Sequence, residues 1–299
     1  IGLGPAGMSA AICCARADLN VLVIEKALPG GSCSTAYKIN NFIGFPGGIF
    51  GEDLSERMES QLFEYPIAHT CENVENILNP RESKKAVQTD LGHIYYTKSI
   101  IIAHGLEPKQ LNAPFESQFM GRGVSYFAGG DADFYKGADV MVIGTGNCAC
   151  YAAEHLSTVA NKVYLLCHFD YLKAVSSLKK NIEENPKIDI IWDSDVEQVF
   201  GIDRVEKAQI VNRTTQQHTW IDVKGVFIYI GRIPPQDFLC ADIEVDEQGF
   251  IVTDEYMRSN IPGIYAAGDI RSKQVRQIAT AVSDGMIAGI NVERDFFRQ

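Results

Sequence analysis

Two glycine fingerprints of the same kind lie far apart in this chain of 299 residues. The first is Gly2-Leu3-Gly4-Pro5-Ala6-Gly7, and the second is Gly144-Thr145-Gly146-Asn147-Cys148-Ala149. Each is followed by a stretch of helical character and then by an apolar run typical of a strand. In this arrangement the N-terminus of a helix binds a pyrophosphate, so the pair predicts two nucleotide-type α/β modules.

The surroundings of the first fingerprint complete a nucleotide site. The apolar run Val21-Leu22-Val23-Ile24 ends at Glu25. A carboxylate at this position accepts hydrogen bonds from ribose hydroxyls and repels a 2′-phosphate, so FAD or NAD fits and NADP does not. The strand that should precede the turn is represented only by Ile1, so either residues precede this sequence or the strand is not visible in it.

The second fingerprint lacks such surroundings. Its next strand is Val163-Tyr164-Leu165-Leu166, and the position equivalent to Glu25 is Cys167. Cys167-His168-Phe169 offers neither a carboxylate for a free ribose nor an arginine fork for a 2′-phosphate. The second module therefore has the backbone of a dinucleotide site without ordinary NADH or NADPH recognition.

Length and charge narrow the class of protein. A chain of 299 residues exceeds what one hydrophobic core usually serves, and 46% apolar residues suffice for two cores. The longest apolar runs are strand-sized, so we expect no membrane span. The formal net charge of −11 repels a phosphate backbone, which argues against nucleic acid as a partner.

The cysteines indicate a reducing compartment. They are scattered, with no C-x-x-C and no repeated metal-ligand spacing, so we expect free thiols, a cytoplasmic protein and no metal site. The eight cysteines are Cys13, Cys14, Cys33, Cys71, Cys148, Cys150, Cys167 and Cys240.

The order of the segments predicts an α/β fold of two Rossmann-like domains, the second inserted into the first. A helix is expected over 52–65, a hairpin over 86–97 and a buried strand over 99–103. Further on, we expect a helix over 177–185, a hairpin-rich stretch over 188–223 and a strand over 225–230. The expected domains are 1–112 and 236–299 for the first fold and 113–235 for the insertion.

A late segment returns to the first domain. Gly263-Ile264-Tyr265-Ala266-Ala267-Gly268-Asp269 reads as a short apolar strand that ends in Gly-Asp. An aspartate at such a strand tip can accept a hydrogen bond from the ribityl chain of a flavin. Arg276-Gln277-Ile278-Ala279 then opens a helix, whose N-terminus stabilises negative charge on a reduced isoalloxazine. Arg276 by itself is equally compatible with a solvated surface charge.

Taken together, these residues resemble the low-molecular-weight thioredoxin reductase family over essentially the whole chain. The matching segments are Gly2 to Gly7, Gly30-Gly31, Asn41, Ile101 to Gly105, Gly121 to Tyr126, Gly144 to Ala149, and Gly263 to Ala279. The resemblance implies a homodimeric flavoprotein that holds FAD between its first and last segments. The FAD contacts implied are Gly2, Gly4, Pro5, Ala6, Gly7, Glu25, Lys26, Gly31, Ser32, Asn41, Ala103, Gly105, Gly268, Asp269, Arg276, Gln277 and Ile278.

The chain departs from the family pattern at two places. Where the family has a redox-active Cys-Ala-x-Cys-Asp, this sequence reads Phe127-Ala128-Gly129-Gly130-Asp131. Disulfide chemistry requires an attacking thiolate and a resolving thiol, and Phe and Gly supply neither. The family's His-Arg-Arg and later Arg, which bind NADPH, are here Cys167, His168, Phe169 and Lys173.

Cys33 is the thiol closest to the expected FAD contacts, because it follows Gly30-Gly31. The glutathione reductase type places a redox cysteine after a similar glycine pair, with a second cysteine soon after it. Here the chain continues Ser34-Thr35-Ala36-Tyr37-Lys38. A lone buried cysteine is therefore favoured over a catalytic one.

The leading hypothesis is a cytoplasmic FAD oxidoreductase that is thioredoxin-reductase-like but is not a thioredoxin reductase. Its electron donor is a reduced protein such as ferredoxin, or a second nucleotide or flavin in the inserted domain. Two alternatives remain open: an NAD(P)H-dependent ferredoxin- or flavodoxin-type reductase, and a non-catalytic FAD-binding protein. The sequence assigns no catalytic residue.

Overall fold

Residues 1–297 are described by the computed structural model, and they divide into two units. The first unit comprises Ile1–Glu107 together with the chain from Ile233 onward, and the second comprises Pro108–Arg232. The second unit is therefore inserted into the first. Its two boundaries lie a few residues before positions 112 and 235, which the sequence indicated.

The elements among residues 1–297 are as follows. The helices are α1 (Pro5–Arg16), α2 (Gly51–Leu62), α3 (Pro114–Phe119), α4 (Ala128–Asp131), α5 (Asn147–Val159), α6 (Ser176–Glu184) and α7 (Ile278–Phe297). The first strands are β1 (Leu22–Glu25), β2 (Lys38–Ile39), β3 (Ile49–Phe50), β4 (Ala68–Cys71), β5 (Val74–Leu78), β6 (Lys85–Thr89), β7 (Ile94–Thr97), β8 (Ile100–Ile102), β9 (Glu107–Pro108) and β10 (Val124–Ser125). The later strands are β11 (Asp139–Ile143), β12 (Lys162–Leu166), β13 (Ile188–Ile191), β14 (Ser194–Phe200), β15 (Lys207–Asn212), β16 (His218–Asp222), β17 (Gly225–Ile228), β18 (Arg232–Ile233) and β19 (Ile264–Ala266).

The first unit is built on a parallel arrangement of strands. β1 pairs with β4, and β8 pairs with β19, both in parallel. Residues 1–3 lie between the two pairs, because the Gly2 N–H donates to the Ile24 carbonyl at 2.9 Å and the Ala103 N–H donates to the Ile1 carbonyl at 2.8 Å. The start of the sequence thus occupies the position of the central strand that the fingerprint requires.

Helices α1 and α7 pack closely against each other in this unit. A Cβ added to Gly285 of α7 would lie 2.0 Å from the Ala6 carbonyl oxygen of α1. Only a residue without a side chain allows this approach. The late helix therefore lies directly beside the first glycine loop.

The second unit contains a five-stranded parallel sheet in the order β10-β17-β11-β12-β13. α5 and α6 cover one face of it, and the antiparallel sheet β14-β15-β16 covers the other. The crossover from β11 leads to β12 on one side, while β17 lies on the other side. The carboxyl ends of β11 and β17 therefore form a topological switch point, where ligands bind in open α/β sheets.

Most of the sequence-predicted elements are present. The hairpin over 86–97 is confirmed as β6–β7, the buried strand as β8, and the helix over 177–185 as α6. One prediction was wrong in part: residues 188–191 were assigned to a hairpin-rich stretch, whereas β13 pairs in parallel with β12. The reason is that α6 returns the chain to the sheet as a crossover.

Candidate functional site

The first glycine loop connects residues 1–3 to α1. A Cβ added to Gly7 would lie 2.0 Å from the Gly2 carbonyl oxygen, so Gly7 allows the helix to pack on the strand. At Gly4 the nearest atom to an added Cβ is 4.0 Å away, which leaves open space above the loop. α1 begins at Pro5, and the unpaired N–H groups of its first turn are available to an anion.

Glu25 ends β1 beside this loop. Its Oε2 accepts a hydrogen bond from the Leu3 N–H at 2.7 Å, and its Oε1 accepts one from the Ala27 N–H at 2.9 Å. Each oxygen keeps a second lone pair for a ribose hydroxyl. Lys26, a predicted contact, forms an ion pair with Glu107 at 2.6 Å.

A small cleft of about 30 Å³ lies next to Glu25, and His104 lines it. The His104 ring stacks on Phe238 with 5.0 Å between centroids. Its Nδ1 is buried and has no hydrogen-bond partner among residues 1–297. Burial also lowers the pKa of His104, which favours the neutral ring. A neutral imidazole with an unused nitrogen provides a polar contact for a nucleoside in this cleft.

Segments distant in sequence meet around the same loop. A Cβ added to Gly31 would lie 3.3 Å from the Gly4 Cα, and one added to Gly268 would lie 2.8 Å from the Ala6 Cβ. Ser32 belongs to the 3-10 turn Gly31–Cys33. The structure thus brings the Gly-Gly segment and the Gly-Asp segment to the N-terminus of α1.

The segment after Gly268 is held by Arg276. The Arg276 guanidinium donates to the carbonyls of Asp269 at 3.2 Å and Arg271 at 3.1 Å, and it lies 3.8 Å above the Phe250 ring. Arg276 therefore braces the loop, in contrast to the solvated surface charge that the sequence left open. α7 begins two residues later, at Ile278.

The remaining predicted contacts lie in the same unit. The Asn41 side-chain amide donates to Gln277 Oε1 at 2.8 Å, which links two residues predicted separately. Ala103 and Gly105 follow β8, and Gly105 has a positive φ of 72° with open space beside it. Their role as FAD contacts stays a prediction.

These features fit FAD. An open glycine loop at a helix N-terminus suits the pyrophosphate, Glu25 suits the adenosine ribose, and Asp269 suits the ribityl chain. The buried Nδ1 of His104, without a partner in the described part of the chain, is a further polar position that a nucleoside would satisfy. Bound FAD supplies the exchange of one or two electrons, while the protein positions it and adjusts its charge.

The second glycine loop follows β11 at the switch point. A Cβ on Gly144 would lie 2.3 Å from the Tyr229 carbonyl oxygen, whereas no atom of residues 1–297 lies within 4 Å of one on Gly146. Cys167, after β12, is buried, and its thiol donates to the Gly144 carbonyl at 3.8 Å. Burial raises the pKa of Cys167 to about 12, so this position carries a neutral thiol.

The charges near this loop are largely paired. His168 Nδ1 lies 2.6 Å from Asp195 Oδ1, and Arg213 lies 3.5 Å from the other oxygen of the same carboxylate. Arg213 also donates to the His168 carbonyl at 3.0 Å. Lys173 Nζ lies 3.9 Å from the Phe169 ring centroid. Sequence reasoning missed Arg213, because it lies in the turn after β15, far from His168 in the sequence.

The short helix α4 contains residues 128–131, part of the segment that departs from the expected redox motif. A Cβ added to Gly130 would lie 2.4 Å from Phe127 Cε1, so the Phe127 ring fills the space beside Gly130. Asp131 accepts a hydrogen bond from the Ser125 hydroxyl at 2.6 Å. Tyr229, half-buried, accepts one from the Ala128 N–H at 2.9 Å. The hydrogen bond from Ser125 ties Asp131 to the end of β10.

The eight cysteines are free thiols. Cys33 is buried, its thiol donates weakly to the Gly51 carbonyl at 3.9 Å, and burial raises its pKa. A buried thiol of raised pKa is a poor nucleophile. The structural interpretation of Cys33 is therefore supported.

Comparisons with known proteins agree with this architecture. A family model described as pyridine nucleotide-disulphide oxidoreductase matches residues 1–285. A thioredoxin reductase of Listeria innocua is 38% identical over 296 residues, which covers 98% of this chain and 92% of the relative. The chain belongs to this oxidoreductase family. It is an α/β flavoprotein of the thioredoxin-reductase-like type, and FAD is the cofactor that the family implies.

Solved structures of family members support the same conclusion. The crystal structure of Lactococcus lactis thioredoxin reductase in its FR conformation aligns with a TM-score of 0.94 and 34% identity, covering 100% of this chain and 98% of that one. A ferredoxin-flavin thioredoxin reductase from Clostridium acetobutylicum aligns with a TM-score of 0.54 and 29% identity, covering 100% of this chain and 96% of that one. Among residues 1–297, no helix of this family member has the length and hydropathy to cross a membrane.

Proposed function

We propose that this flavoprotein transfers electrons through FAD without an internal dithiol and without ordinary NADPH recognition. The observation that carries the proposal is the Phe127 ring packed beside Gly130 at α4. Thiol–disulfide exchange requires two sulfurs within bonding reach, and neither position supplies one. The protein is on this view an FAD-dependent oxidoreductase that is not a thioredoxin reductase.

The second glycine loop supports a proposal for the electron donor. A buried neutral Cys167 stands where a ribose carboxylate or a phosphate-binding arginine would be needed. We therefore propose a reduced protein such as ferredoxin as donor, or a second nucleotide or flavin held by Gly144 to Ala149. The name of the Clostridium acetobutylicum relative combines ferredoxin and flavin for that protein. We further propose a cytoplasmic homodimer.

Anaerobic mixing tests the donor. The FAD-loaded protein is mixed separately with NADPH, NADH and reduced ferredoxin, and flavin absorbance is followed. We expect reduced ferredoxin to bleach the flavin rapidly and NADPH to do so slowly, because the NADPH contacts are missing. Rapid bleaching by NADPH would contradict the proposal. If no donor reduces the flavin, the protein is a non-catalytic FAD-binding protein.

Counting the bound nucleotides separates the remaining possibilities. Denatured protein is extracted, and the released nucleotides are quantified per chain. One FAD supports a protein donor, whereas two flavins support a second flavin in the inserted unit. FAD together with NADP would contradict the loss of NADPH recognition.

A second candidate is a nicotinamide-dependent ferredoxin- or flavodoxin-type reductase. It is favoured by Lys173 and Arg213, two cations near the loop after β12 that could replace the family's arginines. Lys162, at the start of β12, instead forms an ion pair with Asp189 at 2.5 Å.

This candidate predicts that Lys173→Glu raises the Michaelis constant for the nicotinamide nucleotide. A charge reversal beside a bound phosphate removes one attraction and adds one repulsion, so we expect an increase of about tenfold. Steady-state kinetics of ferredoxin or flavodoxin reduction measure it, with Lys180→Glu, an exposed residue of α6, as a control. An unchanged constant in Lys173→Glu would exclude a role for this residue.

A further inference from the structure

The middle of α7 places a buried carboxylate beneath the Gly268–Asp269 segment. Asp284 is 7% exposed. Its Oδ2 accepts hydrogen bonds from the Gly268 N–H at 3.1 Å and from Lys273 Nζ at 2.8 Å, and its Oδ1 accepts one from Arg271 at 2.9 Å. One carboxylate therefore holds a backbone amide and two cations of the same loop.

Lys273 connects this carboxylate to the predicted FAD contact. Its side chain is only 11% exposed, and its Nζ lies 3.8 Å from Asp269 Oδ1 as well as 2.8 Å from Asp284. Arg271 is held in turn by Thr253, whose hydroxyl oxygen accepts its Nε–H at 2.7 Å. The amine thus bridges two carboxylates, those of Asp284 and of Asp269, the predicted FAD contact.

The charges of this network depend on one another. The side chains of Arg271, Lys273 and Asp284 are only 10–11% exposed, so the removal of one of these three leaves an uncompensated buried charge. Without Lys273, Asp269 and Asp284 would repel each other. Without the charge of Asp284, Lys273 and Arg271 would lose their shared partner, and Gly268 would lose the acceptor for its N–H.

We propose that Asp284 and Lys273 are positioning residues for FAD, which act by holding Gly268 and Asp269 in the conformation that binds the ribityl half of the cofactor. The proposal depends on FAD binding in the first unit and not on the identity of the electron donor. It extends the predicted site to two residues that do not themselves contact the cofactor.

The test compares two ligands on the full-length protein freed of its flavin. FAD contains both the adenosine half and the ribityl half, whereas ADP contains only the part that binds the glycine loop and Glu25. Calorimetric titrations with each ligand are made on the wild type, Asp284→Asn, Lys273→Met and Lys273→Arg. Thermal melting of each variant is recorded alongside.

We expect Asp284→Asn and Lys273→Met to raise the dissociation constant for FAD by about tenfold, as the loss of a charge-assisted hydrogen bond would. The constant for ADP should remain within about twofold of the wild type. Lys273→Arg keeps the bridging charge and should restore most of the FAD affinity.

Three outcomes would overturn the proposal: unchanged FAD binding in both charge-removing variants, an equal loss of FAD and ADP binding with lowered melting temperature, or no rescue by arginine. The equal loss would show that the network serves folding in general. A wild type that binds ADP but no FAD would instead contradict the proposed function, and the two failures are therefore distinguishable.

Discussion

At the scale of single residues, the first unit fixes its polar groups with hydrogen bonds from distant segments. Glu72 is buried beside the cleft and accepts hydrogen bonds from the hydroxyls of Thr70, Thr89 and Tyr95. His93 Nδ1 lies 3.1 Å from the same carboxylate. These hydrogen bonds, those from Thr70 and Thr89 foremost, lower the pKa of Glu72 from 4.5 to about 2.

This lowered pKa predicts how the stability contributed by Glu72 changes with pH. Folding favours the charged form, so the contribution is complete above pH 4.5 and is lost as the pH falls toward 2. We expect Glu72→Gln to unfold at lower urea concentration than the wild type at pH 7, because an amide NH₂ would face hydroxyl donors. The difference in the urea concentration of unfolding between Glu72→Gln and the wild type should shrink as the pH falls from 4.5 to 2.

Urea unfolding at a series of pH values measures this effect, with the exposed Glu75 on β5 as the matched control. Glu75→Gln should match the wild type throughout. A difference between Glu72→Gln and wild type that stays constant down to pH 2 would show that the carboxylate charge is not responsible.

At the scale of elements, α4 offers a test of the proposal that this chain works without an internal dithiol. Residues three apart at the start of a helix lie side by side, so positions 127 and 130 suit a disulfide in the family. We predict that Phe127→Cys/Gly130→Cys forms this disulfide. In contrast, Gly130→Cys alone should melt at a lower temperature than the double variant, because its side chain meets the Phe127 ring.

Thiol titration after oxidation and after reduction detects the disulfide in the double variant as a difference of two thiols. Reduction of thioredoxin then shows whether the dithiol connects to the flavin. If the wild type already reduces thioredoxin at a comparable rate, the proposal that α4 has lost this chemistry is wrong.

The elements also show what the sequence could predict. The spacing of Gly2, Gly4 and Gly7 and the apolar runs after them predicted the first module, because glycine packing and strand burial act over short stretches. Asp284 carried no such signal, because an acidic residue within a predicted helix is expected on its exposed face. Its partners become visible only when the loop from Gly268 to Lys273 folds onto α7. His104 was likewise missed, because its stacking partner lies 134 residues away in sequence, at Phe238.

At the scale of the whole molecule, the predicted FAD contacts lie in one unit, and the second unit interrupts it. The second unit begins and ends side by side, because the Lys109 N–H donates to the Gly231 carbonyl at 3.0 Å. The first unit has its own hydrophobic core, which includes Ile102, Ile251 and Ile264. Because the first unit has its own core and the two ends of the insertion lie close together, we expect the first unit to fold without the insertion.

We therefore predict that replacing residues 108–232 with a short glycine-serine linker leaves a protein that binds FAD. Its dissociation constant should remain within about tenfold of the full chain, since the predicted contacts are retained. Visible absorbance after reconstitution and calorimetric titration measure this. A well-folded deletion protein that takes up no FAD would show that the inserted unit contributes to the cofactor site.

The first and last residues of the second unit lie next to each other, and this arrangement affects how such proteins can diversify. A gene segment that encodes residues 108–232 can be exchanged at a single place without disturbing the order of the strands around FAD. Selection can then change the electron donor while the binding site for the yellow cofactor stays the same. The absence of a dithiol at α4 is the kind of difference that this modular construction permits.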